Sequence, residues 1–336
     1  MDPDSASSVS RVPHGGDGDP AVVDFSANTN PKRPPGTAAA YDAAYGPATR
    51  YPDDEYADYR AAAADYVDCD PSDVVPTAGG LTALRLAFGV TVAPGDDVLV
   101  PEPSFGEYDR EIRLQGATPV PVAHDGILEA DPAEYAAAVV CTPNNPTGEA
   151  AAPDDLRDFL ARCRAADTAL VVDEAFLDFT DDPSLAGKSG AIVARSLTKM
   201  FGLPGLRAGF AVATGGLGDG LDAARPTWGL SVPAAAVGAH CMRQSTFVEE
   251  TKARVAAERA RMRDRLEADF EVFPSDAPFL LLGVDGDVDA LLAHARERGF
   301  ALRDARTFPT LDSHVRVAVR LPEENEALVD ALSAFA

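Results

Sequence analysis

Two short apolar runs, each stopping at a polar residue, constrain the fold of this chain more than any other feature. Ala169–Asp173 reads Ala-Leu-Val-Val-Asp, and Ala137–Cys141 runs into the turn Thr-Pro-Asn-Asn145-Pro-Thr-Gly148. Short apolar runs without alternation, bounded by turn residues, suit strands that are covered on both faces, as in a parallel sheet flanked by helices. In such a sheet the carboxyl ends of the strands open onto the crevice where ligands bind. Asp173 and Asn145 are therefore expected at that crevice. Each has a plainer role open to it: the aspartate can cap a helix and the asparagine can form a turn.

The rest of the chain fits this architecture. Glu55 to Val67 is alanine-rich and amphipathic, and Gly79-Gly80 precede a helix whose apolar positions Leu81, Leu84 and Phe88 recur at helical spacing. A strand follows at 97–100, then a helix after Pro153 with Leu156, Phe159, Leu160 and Cys163 on one face, then strands at 191–195 and 208–213. Alternation of this kind predicts a mainly parallel sheet with helices on both sides. After about residue 225 the character changes to a long charged helix over 247–269, apolar strands at 279–283 and 315–319, and helices at 287–298 and 323–335. The expected organisation is an N-terminal arm (1–45) joined to a smaller α+β domain (225–336), beside a large domain over 46–224. Residues 1–20, rich in Ser, Asp, Gly and Pro, are expected to be mobile.

Chemistry enters with Ser196-Leu-Thr-Lys199 and, eight residues after the lysine, Arg207. A lysine amine can condense with an aldehyde cofactor, while a hydroxyl and a guanidinium supply donors to a phosphate dianion. The backbone N–H groups of Gly79, Gly80 and Leu81, at a helix start, can complete the phosphate cradle. A carboxylate such as Asp173 can hold a pyridine nitrogen protonated, and an amide such as that of Asn145 can donate to a phenolic oxygen. The chain has only four lysines, Lys32, Lys188, Lys199 and Lys252, which favours Lys199 as the covalent anchor.

In this order and spacing, Asn145-Pro-Thr-Gly148, Asp173-Glu-Ala-Phe176, Ser196-x-x-Lys199 and Arg207 resemble the fold-type I family of pyridoxal-phosphate enzymes. The resemblance implies pyridoxal 5'-phosphate as cofactor, a large domain with a helix-covered, mainly parallel sheet, and a smaller α+β domain. It further implies that Phe105 stacks on the pyridine ring, although a core aromatic is the other reading. Tyr51 would reach the cofactor phosphate of a neighbouring subunit, making the active unit a homodimer. Arg316 would grip the substrate α-carboxylate, unless it is a plain strand-edge arginine, and Arg303 is a second candidate for a substrate anion.

Three further stretches narrow the resemblance: His14-Gly-Gly16, Asp24-Phe-Ser-Ala-Asn-Thr-Asn-Pro31 and Asp173-Glu-Ala-Phe-Leu-Asp-Phe179. They are similar to the threonine-phosphate decarboxylases of cobalamin biosynthesis, close relatives of the histidinol-phosphate aminotransferases. That likeness implies decarboxylation of O-phospho-L-threonine, with the substrate phosphate contacted by His14 and by Ser26, Asn28 and Asn30; an exposed histidine on a frayed arm is the alternative for His14. Aminotransferases usually carry a tyrosine where this chain has Phe176. Two departures stand out: Ala78-Gly79 replaces a frequent Asn-Gly before the phosphate-cup helix, and Pro233 follows Ser-Val where an asparagine is common. Transamination of histidinol phosphate, and a non-catalytic ligand-binding role on the same fold, remain the alternatives.

Composition limits the partners. No run of about 18 apolar residues is present to span a bilayer, and Met1–Ser8 lack a signal-peptide profile, so a cytoplasmic protein is expected. Cys69, Cys141, Cys163 and Cys241 have no metal-ligand spacing and read as free thiols, with no metal site expected. A net charge of −25 disfavours nucleic-acid and anionic-membrane binding. An acidic, lysine-poor surface resembles that of salt-adapted proteins, in which screening relieves self-repulsion. Circular dichroism should therefore show the fold lost as salt is dialysed away; full structure and activity without added salt would remove this reading.

Overall fold

The computed structural model describes residues 1–335. Its centre is a seven-stranded sheet with the spatial order Val74–Thr77, Gly209–Val212, Ala191–Ser196, Ala169–Asp173, Ala137–Cys141, Asp97–Glu102, Thr118–Ala123. The five strands from Ala191–Ser196 to Thr118–Ala123 pair in parallel. Gly209–Val212 is antiparallel to both its neighbours, which returns Val74–Thr77 to the common direction. The expected mainly parallel sheet is thus present, with one reversed strand.

The two apolar runs that dictated this architecture sit at its middle, in register, with Cys141 opposite Asp173 and Asp173 opposite Ala194. Successive residues feed opposite faces. Leu170 and Val172 belong to the larger core together with Phe159, Leu160 and Cys163 of the helix Pro153–Ala165. Val171 and Val139 belong to a second core with Ala83, Leu84, Ala87 and Phe88 of the helix Gly80–Thr91. Burial on both faces explains why these strands carry no polar alternation.

Two strands of this sheet were not legible in the sequence. Thr118–Ala123 contains Pro119 and Pro121, which cannot donate to a ladder; it lies at the sheet edge, paired only with Asp97–Glu102, where that deficit is tolerated. Val74–Thr77 is four residues long and contains Pro76.

The later part of the chain forms a four-stranded antiparallel sheet, ordered Arg303–Asp304, His314–Ala318, Phe279–Gly283, Glu271–Val272. Near the N-terminus, Val23–Asp24 pairs in parallel with Phe300–Ala301. The first twenty residues, expected to be mobile, are held to the rest of the protein at two points. The Asp2 N–H donates to the Leu114 carbonyl (2.7 Å), and Arg303 Nη2 donates to the Pro13 carbonyl (2.9 Å). Among the described residues no helix is long and apolar enough to cross a membrane.

Phe159 is fully buried between helix and sheet. Phe159→Ala should lower stability by about 3–5 kcal/mol, read as a shifted denaturant midpoint at high salt; a change near zero would mean that the helix is not packed as described.

Candidate active site

The polar residues identified in the sequence converge at one edge of the large sheet. Asn145 follows Ala137–Cys141, Asp173 ends its own strand, Lys199 lies in the short helix Leu197–Met200 after Ala191–Ser196, and Gly79-Gly80 follow Val74–Thr77. Arg207 arrives from the same edge because the strand it precedes runs in the reverse direction. The ladder fixes their spacing: Gly209 is opposite both Thr77 and Ser196, which brings the glycine turn beside the lysine turn. Between them lies a cavity of about 290 Å³ lined by His14, Ser26, Asn28, Gly80, Leu81, Phe105, Asn145, Asp173, Ser196, Lys199, Arg207, Arg303 and Arg316.

At one end is a phosphate-sized cradle. Gly79 has φ +92° and opens the helix Gly80–Thr91, whose first N–H groups have no carbonyl of their own helix to bond. A Cβ on Gly79 would stand 2.7 Å from Arg207 Nη2, and one on Gly80 would stand 3.2 Å from Ser196 Cβ. Gly79 is needed for its backbone conformation, and a Cβ on either glycine would crowd the Arg207 or Ser196 side chain. Arg207 itself takes φ +54°, which turns its side chain over the glycine turn. The Ala78 that replaces a frequent asparagine leaves this backbone cradle in place.

In the middle stand the carboxylate and the amine. Asp173 is buried and accepts hydrogen bonds from Tyr108 Oη (2.7 Å) and the Ala175 N–H (3.0 Å). Burial nevertheless keeps its proton affinity above the ordinary carboxylate range, against the pull of those donors and of the Lys199 charge. Lys199 moves in the opposite direction. Desolvation first, then the positive charges of Arg316 and Arg207, bring its amine down to about 8 despite Asp173. The Phe176 ring forms the adjacent wall, its centroid 5.5 Å from Lys199 Nζ, and packs edge-on against Phe279.

At the other end are two arginines. Arg303 and Arg316 are direct cross-strand partners, both buried and both facing the cavity. Like charges opposite one another in a ladder repel, so an anion between them is the natural complement. Arg316 donates to Asn145 Oδ1 and to the Ser26 carbonyl (3.2 Å), while its Nε has no partner. Its guanidinium carbon lies 4.9 Å from the Phe279 ring centroid. Arg303 is held by the Pro13 carbonyl and by Thr307 Oγ1 (2.7 Å).

The N-terminal arm forms the roof. His14 Nε2 lies 2.8 Å from Glu107 Oε1, and its ring is 5.6 Å from that of Phe105. The Gly16 N–H donates to Ser26 Oγ (2.7 Å), and the buried Asn28 Oδ1 has no partner. Asn30 is not among the lining residues. Its amide donates to the Met200 carbonyl (2.8 Å), and its Oδ1 accepts from Arg254 (2.8 Å) and the Lys32 N–H (3.1 Å). These bonds tie the arm to the Lys199 loop, so the contact with a substrate phosphate expected for Asn30 is not made available by this placement. Tyr51 is also outside the cavity, 76% exposed and stacked on Trp228. Sequence reasoning missed Tyr108, Glu107, Thr307 and Phe308; for the first two, the only signal was their position just after Phe105.

Polar groups gathered at the strand ends of a mainly parallel, helix-covered sheet, around a buried lysine, are the arrangement of the fold-type I pyridoxal-phosphate enzymes. Residues 20–332 match the family described as aminotransferase class I and II, and the chain belongs to that family. A histidinol-phosphate aminotransferase of Archaeoglobus fulgidus is 30% identical over 94% of this chain and 93% of its own length. A Caldanaerobacter subterraneus protein provisionally named as a threonine-phosphate decarboxylase is 31% identical over 84% of this chain and 82% of its own length. Among solved structures, the L-threonine-O-3-phosphate decarboxylase of Porphyromonas gingivalis superimposes with a TM-score of 0.86 at 23% identity, over 94% of this chain and 99% of that one; at that identity it bears on the fold alone.

The cofactor is pyridoxal 5'-phosphate, and the residues present fit it. The cradle at Gly79, Gly80, Ser196 and Arg207 is open where any side chain would fill it, and a buried, proton-hungry carboxylate faces the same cavity as the lysine. In cofactor-free protein, trapping of Lys199 by an amine-selective reagent should rise with pH through a midpoint near 8, because its neutral form predominates above that value. A midpoint near 10.5 would show that the amine is not desolvated.

Proposed function

We propose that this chain decarboxylates O-phospho-L-threonine to (R)-1-amino-2-propanol O-2-phosphate, as a cytoplasmic homodimer in which Tyr51 of one subunit completes the phosphate cradle of the other. The observation that carries the reading is Phe176. Its apolar ring stands beside Lys199 Nζ, at the position where the resembling aminotransferases have a tyrosine hydroxyl. No phenol is available there to donate to the cofactor's ring oxygen, and that task falls to Asn145.

When bound, pyridoxal phosphate supplies an electron-accepting ring in conjugation with the substrate Cα. Asp173 would hold the proton on the ring nitrogen. Arg316 would take the α-carboxylate, with Arg303 available for a second anion, while His14, Ser26 and Asn28 are assigned to the substrate phosphate. These contacts would set which Cα bond is broken. Once the carboxylate has left as carbon dioxide, the protonated Lys199 Nζ can deliver its proton to Cα. A 10⁴-fold preference for that bond over Cα–H needs only about 5.5 kcal/mol between barriers.

Transamination of histidinol phosphate is the second reading. It is favoured by the names of several relatives, among them the Archaeoglobus fulgidus and Halobacterium salinarum histidinol-phosphate aminotransferases, the latter 31% identical over 93% of this chain. There Lys199 would take the Cα proton instead, and an oxo-acid acceptor would be needed. Purified protein at high salt should release carbon dioxide from O-phosphothreonine and form no glutamate from histidinol phosphate with 2-oxoglutarate. The reverse pattern would replace this reading with the second. Turnover of neither, with no visible absorbance band lost in Lys199→Ala, would point to a ligand-binding role.

A further inference from the structure

Behind Asp173 lies a side chain that the reading above does not use. Tyr108, in the helix Glu107–Leu114, is completely buried, and its hydroxyl donates to Asp173 Oδ2 at 2.7 Å. The other carboxylate oxygen accepts only from the Ala175 backbone N–H, at 3.0 Å. Tyr108 also packs edge-on against Phe105, with ring centroids 5.6 Å apart, so the helix start that presents the ring-stacking candidate also presents the phenol. A buried tyrosine hydroxyl needs a partner, but a backbone carbonyl would serve that need equally well, as it does for Tyr59, whose hydroxyl donates to the Gly209 carbonyl (2.9 Å). Here the partner is the one carboxylate in the floor of the cavity.

We propose that Tyr108 is a positioning residue that keeps the shared proton on the cofactor's ring nitrogen rather than on Asp173. The inference rests on Asp173 being the partner of that nitrogen. A proton between a pyridine nitrogen and a carboxylate resides on nitrogen only while the carboxylate is the weaker base. Burial makes Asp173 a stronger base than an exposed aspartate, which favours transfer of the proton from N to O and would weaken the electron sink. A hydrogen bond donated to the charged carboxylate opposes that drift, because it stabilises the ionised form and is lost in part when the oxygen is protonated. Tyr108 supplies such a bond from a site closed to water, where it is not diluted by competing solvent. Its own proton stays in place: desolvation and the Asp173 charge hold the phenol far above its ordinary range, so it donates at every accessible pH.

The test is the ¹⁵N chemical shift of ring-labelled pyridoxal phosphate bound to the holoenzyme, which reports directly where that proton sits. In the wild-type protein the shift should be that of a protonated ring, and in Tyr108→Phe it should move towards the unprotonated value. Asp173→Asn serves as the reference. If its shift does not move, Asp173 is not the partner of the ring nitrogen and both readings fall. If it moves while that of Tyr108→Phe stays at the wild-type value, the proposal for Tyr108 alone is overturned. Should Tyr108→Phe not fold by circular dichroism, 3,5-difluorotyrosine placed at position 108 preserves the shape with a more acidic phenol. As a stronger donor to Asp173 it should keep the ring-nitrogen shift at the protonated value, and a shift moved towards the unprotonated value would overturn the proposal.

Discussion

A carboxylate cut off from water and short of a cation is the constraint around which this molecule is arranged. Asp173 sits at the end of a strand buried on both faces, a place where an uncompensated charge costs several kcal/mol unless it is paired and hydrogen-bonded. The structure gives it two donors and an amine across the cavity, and still leaves it basic. That unmet demand is what a protonated pyridine satisfies. Lys199 shows the matching imbalance, since desolvation first, and then the charges of Arg316 and Arg207, push its proton off. The cavity is therefore electrostatically unbalanced, with excess positive charge at Arg207, Arg303 and Arg316 and a buried negative charge at Asp173.

The rigidity behind this arrangement comes from a second buried group of charges that touches no ligand. Arg195, next to Ser196, pairs with Glu174 (2.9 Å) and Asp178, while Glu174 also accepts from the Leu185 N–H (2.8 Å). Glu174 follows Asp173 directly in sequence. The neighbours of Asp173 and Ser196, both of which line the cavity, are thus cross-linked away from it. Breaking such a pair from one side strands a charge in the interior, at a cost of about 3–5 kcal/mol.

Much of the fold could be read from the sequence because the central strands are short, continuous and apolar, and because the helices that cover them have regular faces such as Leu156, Phe159, Leu160 and Cys163. The two strands of the large sheet that escaped notice contain prolines, whose lost donors matter only if the strand is central, and the others, Val23–Asp24, Glu271–Val272, Phe300–Ala301 and Arg303–Asp304, are two residues long and too short to show a pattern. In the site, Lys199, Asp173, Asn145, the glycine pair, Arg207 and the two later arginines were legible because each lies at a strand end or in a recognisable spacing. Tyr108 was not, because a tyrosine on a helix reads as core until its hydroxyl is seen to point at a carboxylate 65 residues away. Asn30 misled in the opposite sense. It sits in the same turn as Ser26 and Asn28, yet its amide is committed to the Met200 carbonyl, and no local pattern distinguishes the three.

The roof of the cavity is contributed by the chain's own leading segment. Val12 presses so closely on Gly106 that a Cβ there would be 2.9 Å from its Cγ1, and the Pro13 carbonyl is the acceptor that steadies Arg303. Loosening residues 12–16 would therefore uncover the cavity and release Arg303 in a single step, although the sheet that carries Asp173 and Lys199 would stay whole.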